Sequence, residues 1–293
     1  FVNNLVSAII PTYNRKTKFL HQAVTSIRNQ SYKFIEIIVI NDNCFNSDIY
    51  NEIKEYCLCY SDIKYLETNH SGACFARNLA ASHAQGSYLA FLDDDDIWLP
   101  DKISLQLKSF SPNTGLVYSN GYWVYTDHVP IERKPYRKPE KFHENVTFEE
   151  LLIQNHIGTT SQIIVKKNCF FECGKFDERF VARHDYDFCL RMSKRYELIG
   201  NPNFLFEHYY HSEEQIIKNN KKSLIGYQLL YHTYLHDYNH NPIAKSNICC
   251  KISRAAYNEK QYILWMKYLF LSIINQPSNI KKIFKQSIDG KTF

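Results

Sequence analysis

Between residues 5 and 92 the chain alternates short β-branched runs with segments of helical period, and few folds accept that pattern. "LVSAII" (5–10) is an apolar run closed by Pro11, which predicts a buried strand. Residues 18–30 carry apolar side chains at 19, 20, 23, 24 and 27, one face of a helix. "FIEIIVI" (34–40) predicts a second strand, and 47–60 a second helix with Ser47 as its N-cap. A weaker strand follows at 63–67, then a helix opening at Gly72, then the strand "SYLAFL" (87–92). Connections of helix length imply parallel strands with helices on both faces. The fold class is therefore α/β, with a Rossmann-like, mostly parallel sheet. In open sheets of this kind ligands bind at the carboxyl ends of the strands. That edge carries Thr12, Tyr13 and Asn14, then Asn41 and Asp42, then Asp93 to Asp96.

The last of these groups is the sharpest signal. "FLDDDD" ends a strand on four adjacent carboxylates, which repel one another at neutral pH. A cation relieves that repulsion, and hard oxygen ligands select Mg²⁺, Mn²⁺ or Ca²⁺. Magnesium-type sites use one or two carboxylates and let substrate phosphates complete the shell, so a divalent ion carrying a nucleotide diphosphate fits. The competing reading is a solvated acidic turn capping a helix that begins near Pro100.

With 44 % apolar residues in 293, the chain can bury a sizeable core. Its nine cysteines are an odd number without C-x-x-C pairs, and no signal-peptide pattern precedes the first strand. The expectation is a reduced, cytoplasmic protein with mostly buried thiols. No apolar run approaches the ~20 residues of a membrane span. The nearest, 262–274, is broken by Lys267 and reads as a buried or interfacial helix. Charge is split: residues 215–293 hold 12 Lys/Arg against 3 Asp/Glu, residues 1–214 hold 23 against 27. A basic tail suits an anionic partner: a membrane surface, nucleic acid or a phosphorylated acceptor. A solvated helical face is the alternative.

Four segments, taken in order, resemble the inverting family-2 nucleotide-sugar glycosyltransferases of the GT-A fold, of the bacterial polysaccharide type. They are "VSAIIPTYNR", "IEIIVINDNC", "GACFARNLAASHAQGSYLAFLDDDD" and "GKFDERFVARHDYDFCLRM". The resemblance runs from about residue 5 to about 212. It implies a GT-A catalytic domain over 1–212, with a nucleotide-binding half (1–110) and an acceptor half (111–212), and a helical C-terminal extension over 213–293. It implies that Pro11, Thr12 and Tyr13 line the base and that Asp42 accepts the uracil imide N–H. Gly72, Arg77 and Asn78 would lie along the nucleotide. Arg77 reads either as a diphosphate cation or as an internal partner of the acidic cluster. Asp93 or Asp94 would contact ribose or sugar, and Asp95 with His211 would hold Mn²⁺ or Mg²⁺. Asp185 of "HDYD" would be the catalytic base, with Asp187 and Arg191, four apart, a structural pair. Asn41, Asn43 and His184 depart from the family's usual Asp, Gly and Glu.

The activity implied is transfer of a hexose from a UDP-sugar to an acceptor hydroxyl, on a glycan or a lipid-diphosphate-linked intermediate. The enzyme would be cytoplasmic and peripheral at the inner face of the cell membrane, with no nucleic acid partner. Two other readings stay open on the sequence. "YLAFLDDDDI" also fits the D-x-D of haloacid-dehalogenase-like phosphohydrolases, although their motif sits on the first strand. A nucleotide-sugar-binding subunit without catalysis is the non-enzymatic reading.

Overall fold

The computed structural model describes residues 4–126, 130–210 and 220–278, which fall into two compact units. The first comprises residues up to 148, 156–178 and 185–213; the second comprises 149–155, 179–184 and 214 onwards.

The first unit opens as the alternation requires: β1 (Val6–Thr12), α1 (Thr17–Arg28), β2 (Ile35–Asn41), α2 (Asp48–Leu58), β3 (Ile63–Glu67), α3 (Ala73–His83) and β4 (Tyr88–Phe91). Ser47 caps α2 by accepting the Tyr50 N–H at 3.2 Å. β1 runs on through Pro11 to Thr12, past the last residue that β4 pairs with, Ile9. β1 pairs in parallel with β2 and β4, and β2 with β3. Val6, Ala8, Ile10, Ile37 and Val39 point to one face, where Leu20, Ala23, Val24 and Ile27 of α1 and Ile53 of α2 cover them. Phe91 points to the other face, against Phe170 and Phe176.

Beyond β4 the chain adds β5 (Ile97–Trp98), α4 (Lys102–Leu107), β6 (Thr114–Tyr125), β7 (Glu132–Pro135) and α5 (Phe148–Ile153). Then come β8 (Ile163–Lys166), α6 (Lys167–Glu172), α7 (His184–Ser193) and β9 (Glu197–Tyr210). The sheet order is β3-β2-β1-β4-β8-β6-β9-β5, with β7 paired to β6. β8 runs antiparallel to both β4 and β6, so the sheet is all-parallel in its first half and mixed in its second. The polar stretch 127–147 contains β7 and a 3₁₀ turn at Pro139–Lys141. β9, the longest strand, follows no clean alternation. Register shifts between Ser119 and Tyr122 on β6 accompany its pairing.

Gly121 lies at that irregularity. A Cβ there would enter the Phe206 ring and come 2.5 Å from its carbonyl oxygen, which belongs to backbone and cannot swing aside. Gly121→Ala is expected to cost about 1–3 kcal/mol by overpacking. A thermal unfolding midpoint equal to that of the parent would contradict this.

The second unit is helical: it takes all but the first residue of α5, then α8 (Asn220–Thr233), α9 (Leu235–His240), α10 (Pro242–Asn258) and α11 (Tyr262–Asn275). Gly226 of α8 lets the Ala182 carbonyl approach to 2.6 Å of where a Cβ would be. Arg183, in left-handed backbone at φ 68°, lays its guanidinium over Tyr227 at 4.4 Å. α10 and α11 form a hairpin closed by reciprocal bonds: Ser246 Oγ donates to the Ser272 carbonyl at 2.6 Å, and Ser272 Oγ to that of Ser246 at 2.9 Å.

None of the nine cysteines forms a disulfide among the described residues. Cys44 and Cys59 are exposed and the other seven buried. Burial pushes the thiols of Cys57, Cys74 and Cys249 up to about 12.

Candidate active site

Strand ends build the site, as the parallel half requires. The turns after β1 and β2 meet: the Asn14 N–H donates to Asn43 Oδ1 at 2.7 Å. Asn43 Nδ2 in turn donates to Asn41 Oδ1 at 2.8 Å. The two asparagines that depart from the family's residues thus tie this corner together. Asp42 is buried and accepts from Thr68 Oγ1 at 2.5 Å, Ser71 N at 2.6 Å and Gly72 N at 2.8 Å. Gly72 takes φ +95° and has no atom within 4 Å of where a Cβ would sit, which leaves open space over the start of α3. Tyr13 is 47 % exposed and stacks on His70 with centroids 4.4 Å apart. Asn14 and His70 both hold positive φ, at 49° and 51°. Non-glycine residues in that region cost about 1–3 kcal/mol and cluster at functional sites.

The four aspartates have four different surroundings. Asp93 pairs with Arg77 and accepts from Thr160 Oγ1 at 2.9 Å. Asp95 meets Arg15 Nη2 at 2.9 Å. Asp96 is buried, accepts from Ser161 Oγ at 2.5 Å and from the Tyr209 N–H at 3.2 Å, and pairs with His208 Nδ1 at 2.9 Å. Asp94 is buried with Arg15 Nε 3.5 Å from Oδ1, and the buried Thr12 side chain helps to hold its charged form.

Among the described residues the cations Arg15, Arg77 and His208 face these carboxylates. Burial first, then the charge of Asp95, pushes the Asp94 carboxyl up to about 7. Burial likewise raises Asp96 to about 6, with His208 opposing. Burial alone would lower His208, but the charge of Asp96 and its hydrogen bond carry it up to about 9. At neutral pH the Asp96–His208 pair is therefore an ion pair. The acidic cluster is mostly buried, so the solvated-turn reading does not describe it.

Among the described residues no three His, Cys, Asp or Glu are arranged to chelate a metal by themselves. The donor set nevertheless suits a hard cation whose shell is completed by substrate oxygens. Asp94 is a buried carboxylate, and Asp95 lies beside it. His211 lies outside the described residues.

α3 joins this edge to the segment before α7. Arg77 is an internal partner of the acidic cluster through Asp93. Asn78 is committed too: Nδ2 donates to the Phe176 carbonyl at 2.8 Å and to Glu178 at 3.1 Å, and Oδ1 accepts from Phe176 N at 3.0 Å. That staple holds the loop leading to α7. Asp185 lies in the first turn of α7, half-buried. Its charge acts on the Cys74 thiol at the start of α3, together with Asp177 and Glu178. Asp187 is buried and bonded to Arg191 Nε at 3.0 Å and Nη2 at 2.7 Å, the structural pair that their spacing predicts.

Sequence reasoning missed Arg15, Thr160, Ser161 and His208. The signal for the cations was the cluster itself, since buried carboxylates require charge partners.

Residues 7–180 match the protein family described as Glycosyl transferase family 2. The chain is 31 % identical over 234 residues to WcaA of Escherichia coli, named for colanic acid biosynthesis; the match covers 75 % of this chain and 78 % of WcaA. Matches to two further curated glycosyltransferases span 64 % and 62 % of their lengths. Among solved structures, S. aureus TarS 1–349 in complex with UDP-GlcNAc superposes with a TM-score of 0.61 at 14 % identity, covering 99 % of this chain and 93 % of that one. The mannosyltransferase PcManGT of Pyrobaculum calidifontis, in complex with GDP-Man and Mn²⁺, gives 0.56 at 16 % identity, covering 98 % and 88 %. At such identities the likeness is one of fold, and that fold is the GT-A type of α/β architecture. The order of segments, the strand-end site and the match over residues 7–180 agree, and the chain belongs to glycosyl transferase family 2.

Proposed function

We propose that the protein transfers a sugar from a UDP-sugar to an acceptor hydroxyl with inversion, on a glycan or lipid-diphosphate-linked intermediate of surface polysaccharide synthesis, in the cytoplasm at the inner face of the membrane. Membership of family 2 sets aside the phosphohydrolase reading. The observation that carries the proposal is the run of four carboxylates in which burial and the charge of Asp95 push the Asp94 carboxyl up to about 7, at the strand edge where a nucleotide would lie. A nucleotide-sugar donor is supported by the ligands named for TarS and PcManGT.

Tyr13 offers an exposed ring for the base. Asp42 Oδ2 accepts from Gly72 N at 2.8 Å, and a carboxylate oxygen can take a second donor, which suits the imide N–H of uracil. Asp94 and Asp95, with His211, would hold Mn²⁺ or Mg²⁺, which when bound stabilises the charge growing on the departing diphosphate. Asp185 accepts the proton of the acceptor hydroxyl. The hydroxyl oxygen then bonds to the anomeric carbon from the side opposite the diphosphate. The bond from that carbon to the diphosphate oxygen breaks with its electron pair, and nucleoside diphosphate leaves. Arg77 and Asn78 act by position, one holding Asp93 and the other the loop before α7.

Incubation with a panel of UDP- and GDP-sugars, with Mn²⁺ or Mg²⁺ and with EDTA, tests this reading. Nucleoside diphosphate release should be greatest with a UDP-sugar and should stop in EDTA. The transferred sugar should show the opposite anomeric configuration by NMR. Binding of UDP without turnover across acceptors would establish the non-catalytic subunit instead.

A further inference from the structure

We infer that α11 is a lipid-docking helix, its exposed face seated on an anionic bilayer. This rests in part on the proposed membrane-linked acceptor, but the observations come from the helix itself. A helix at a protein surface normally buries its apolar stripe and shows polar groups to water. α11 half-buries one apolar side, with Leu264, Leu269 and Leu271, and leaves a second apolar face exposed. Tyr268 and Ser272 are its buried residues, and Ser272 and the Trp265 carbonyl are bonded to α10. Ile263 is 84 % exposed, Phe270 64 %, Ile274 59 % and Met266 55 %. At spacings of three, four and four they share one face. Tyr257 and Tyr262, also exposed, flank its start, with Tyr257 packed against Trp265.

Charge names the partner. α11 carries no acidic residue, and Lys267 rises from within the apolar stripe while exposed Lys260 precedes it. From residue 260 to the end the chain has six lysines and one aspartate. A second copy of this face would set lysine against lysine. A bilayer with acidic headgroups would take the apolar side chains into its boundary and the ammonium groups at its surface, with the lysine stems flattened along it. Tyrosine and tryptophan favour the same boundary. The helix is about 21 Å long, too short for a hydrocarbon core of about 30 Å, so it lies on the membrane rather than through it.

The test uses the full chain, purified, with vesicles of phosphatidylcholine alone or with 30 % (about one lipid in three) phosphatidylglycerol. Co-sedimentation should rise at least tenfold with the anionic lipid and fall in 1 M salt (a Debye length of about 3 Å). Each lysine near an anionic surface raises partitioning about fivefold, so Lys260→Glu with Lys267→Glu should lower it at least 25-fold, at about fivefold per site. Ile263→Ser with Phe270→Ser should lower it at least tenfold on both the low- and high-salt arms. Both double variants alter exposed residues and should keep the parent's unfolding midpoint and donor hydrolysis. Equal, negligible binding to both vesicle types would overturn the inference, as would variants that bind like the parent. So would a dimer in sedimentation without lipid that the Ile263/Phe270 variant abolishes, since the face would then belong to a second copy. A chain that binds vesicles yet turns over no nucleotide sugar would remove the proposed activity and leave the docking helix standing.

Discussion

Replacing Asp185 with Asn is expected to lower turnover by about 10²- to 10⁴-fold while leaving nucleotide binding intact, the range typical of a lost general base. Asn keeps the size and hydrogen-bonding reach of the side chain but cannot take a proton at neutral pH. Two carboxylates of "HDYD" compete for the role, and their surroundings separate them. Asp187 is buried and held by two guanidinium nitrogens of Arg191, whose Nη2 also donates to the Lys175 carbonyl at 2.7 Å. Asp185 lies half-buried in the first turn, and the proposed mechanism gives it the acceptor proton. Asp187→Asn should therefore show itself in stability: breaking a buried pair costs about 3–5 kcal/mol. Single-turnover kinetics beside thermal unfolding would separate the two variants. A drop of only a few-fold for Asp185→Asn, with a large kinetic defect in folded Asp187→Asn, would exchange the assignments.

Asp95→Asn should reduce metal-dependent transfer by about 10²- to 10³-fold, the scale seen when one electrostatic stabiliser of a developing charge is removed. The fold should persist, since Asp95 meets Arg15 at the strand edge while the sheet's core lies elsewhere. Its metal dependence distinguishes this defect from that of Asp185→Asn. Raising Mn²⁺ should restore part of the rate in the first variant and none in the second. Near-normal transfer by Asp95→Asn in EDTA would move the metal away from this residue or out of the reaction.

The first seven elements were legible because buried parallel strands read as continuous apolar runs between helices of clear period. Legibility fell where strands turn antiparallel. β5 is two residues long, and β9 contains Asn201, Pro202 and Asn203, which break any alternation. In the site, the carboxylates stood out because they are adjacent in sequence. Their partners did not: Arg15 and His208 stand 80 and 112 residues from the aspartates they meet. The roles within "DDDD" could not be divided from sequence either. Identical residues differ here only in what the fold puts against them, Arg77 for one and His208 for another.

The distribution of thiols offers a use beyond structure. At neutral pH the deeply buried sulfurs, held up at about 12 in Cys57, Cys74 and Cys249, stay protonated and unreactive. A maleimide dye then has two accessible addresses, Cys44 and Cys59. The first follows Asn43 directly, in the same turn as Asp42, while the second ends α2. With Cys59→Ser the molecule carries a single optical reporter next to the expected nucleotide cleft. Donor affinity could then be followed by fluorescence in real time, before any acceptor has been found.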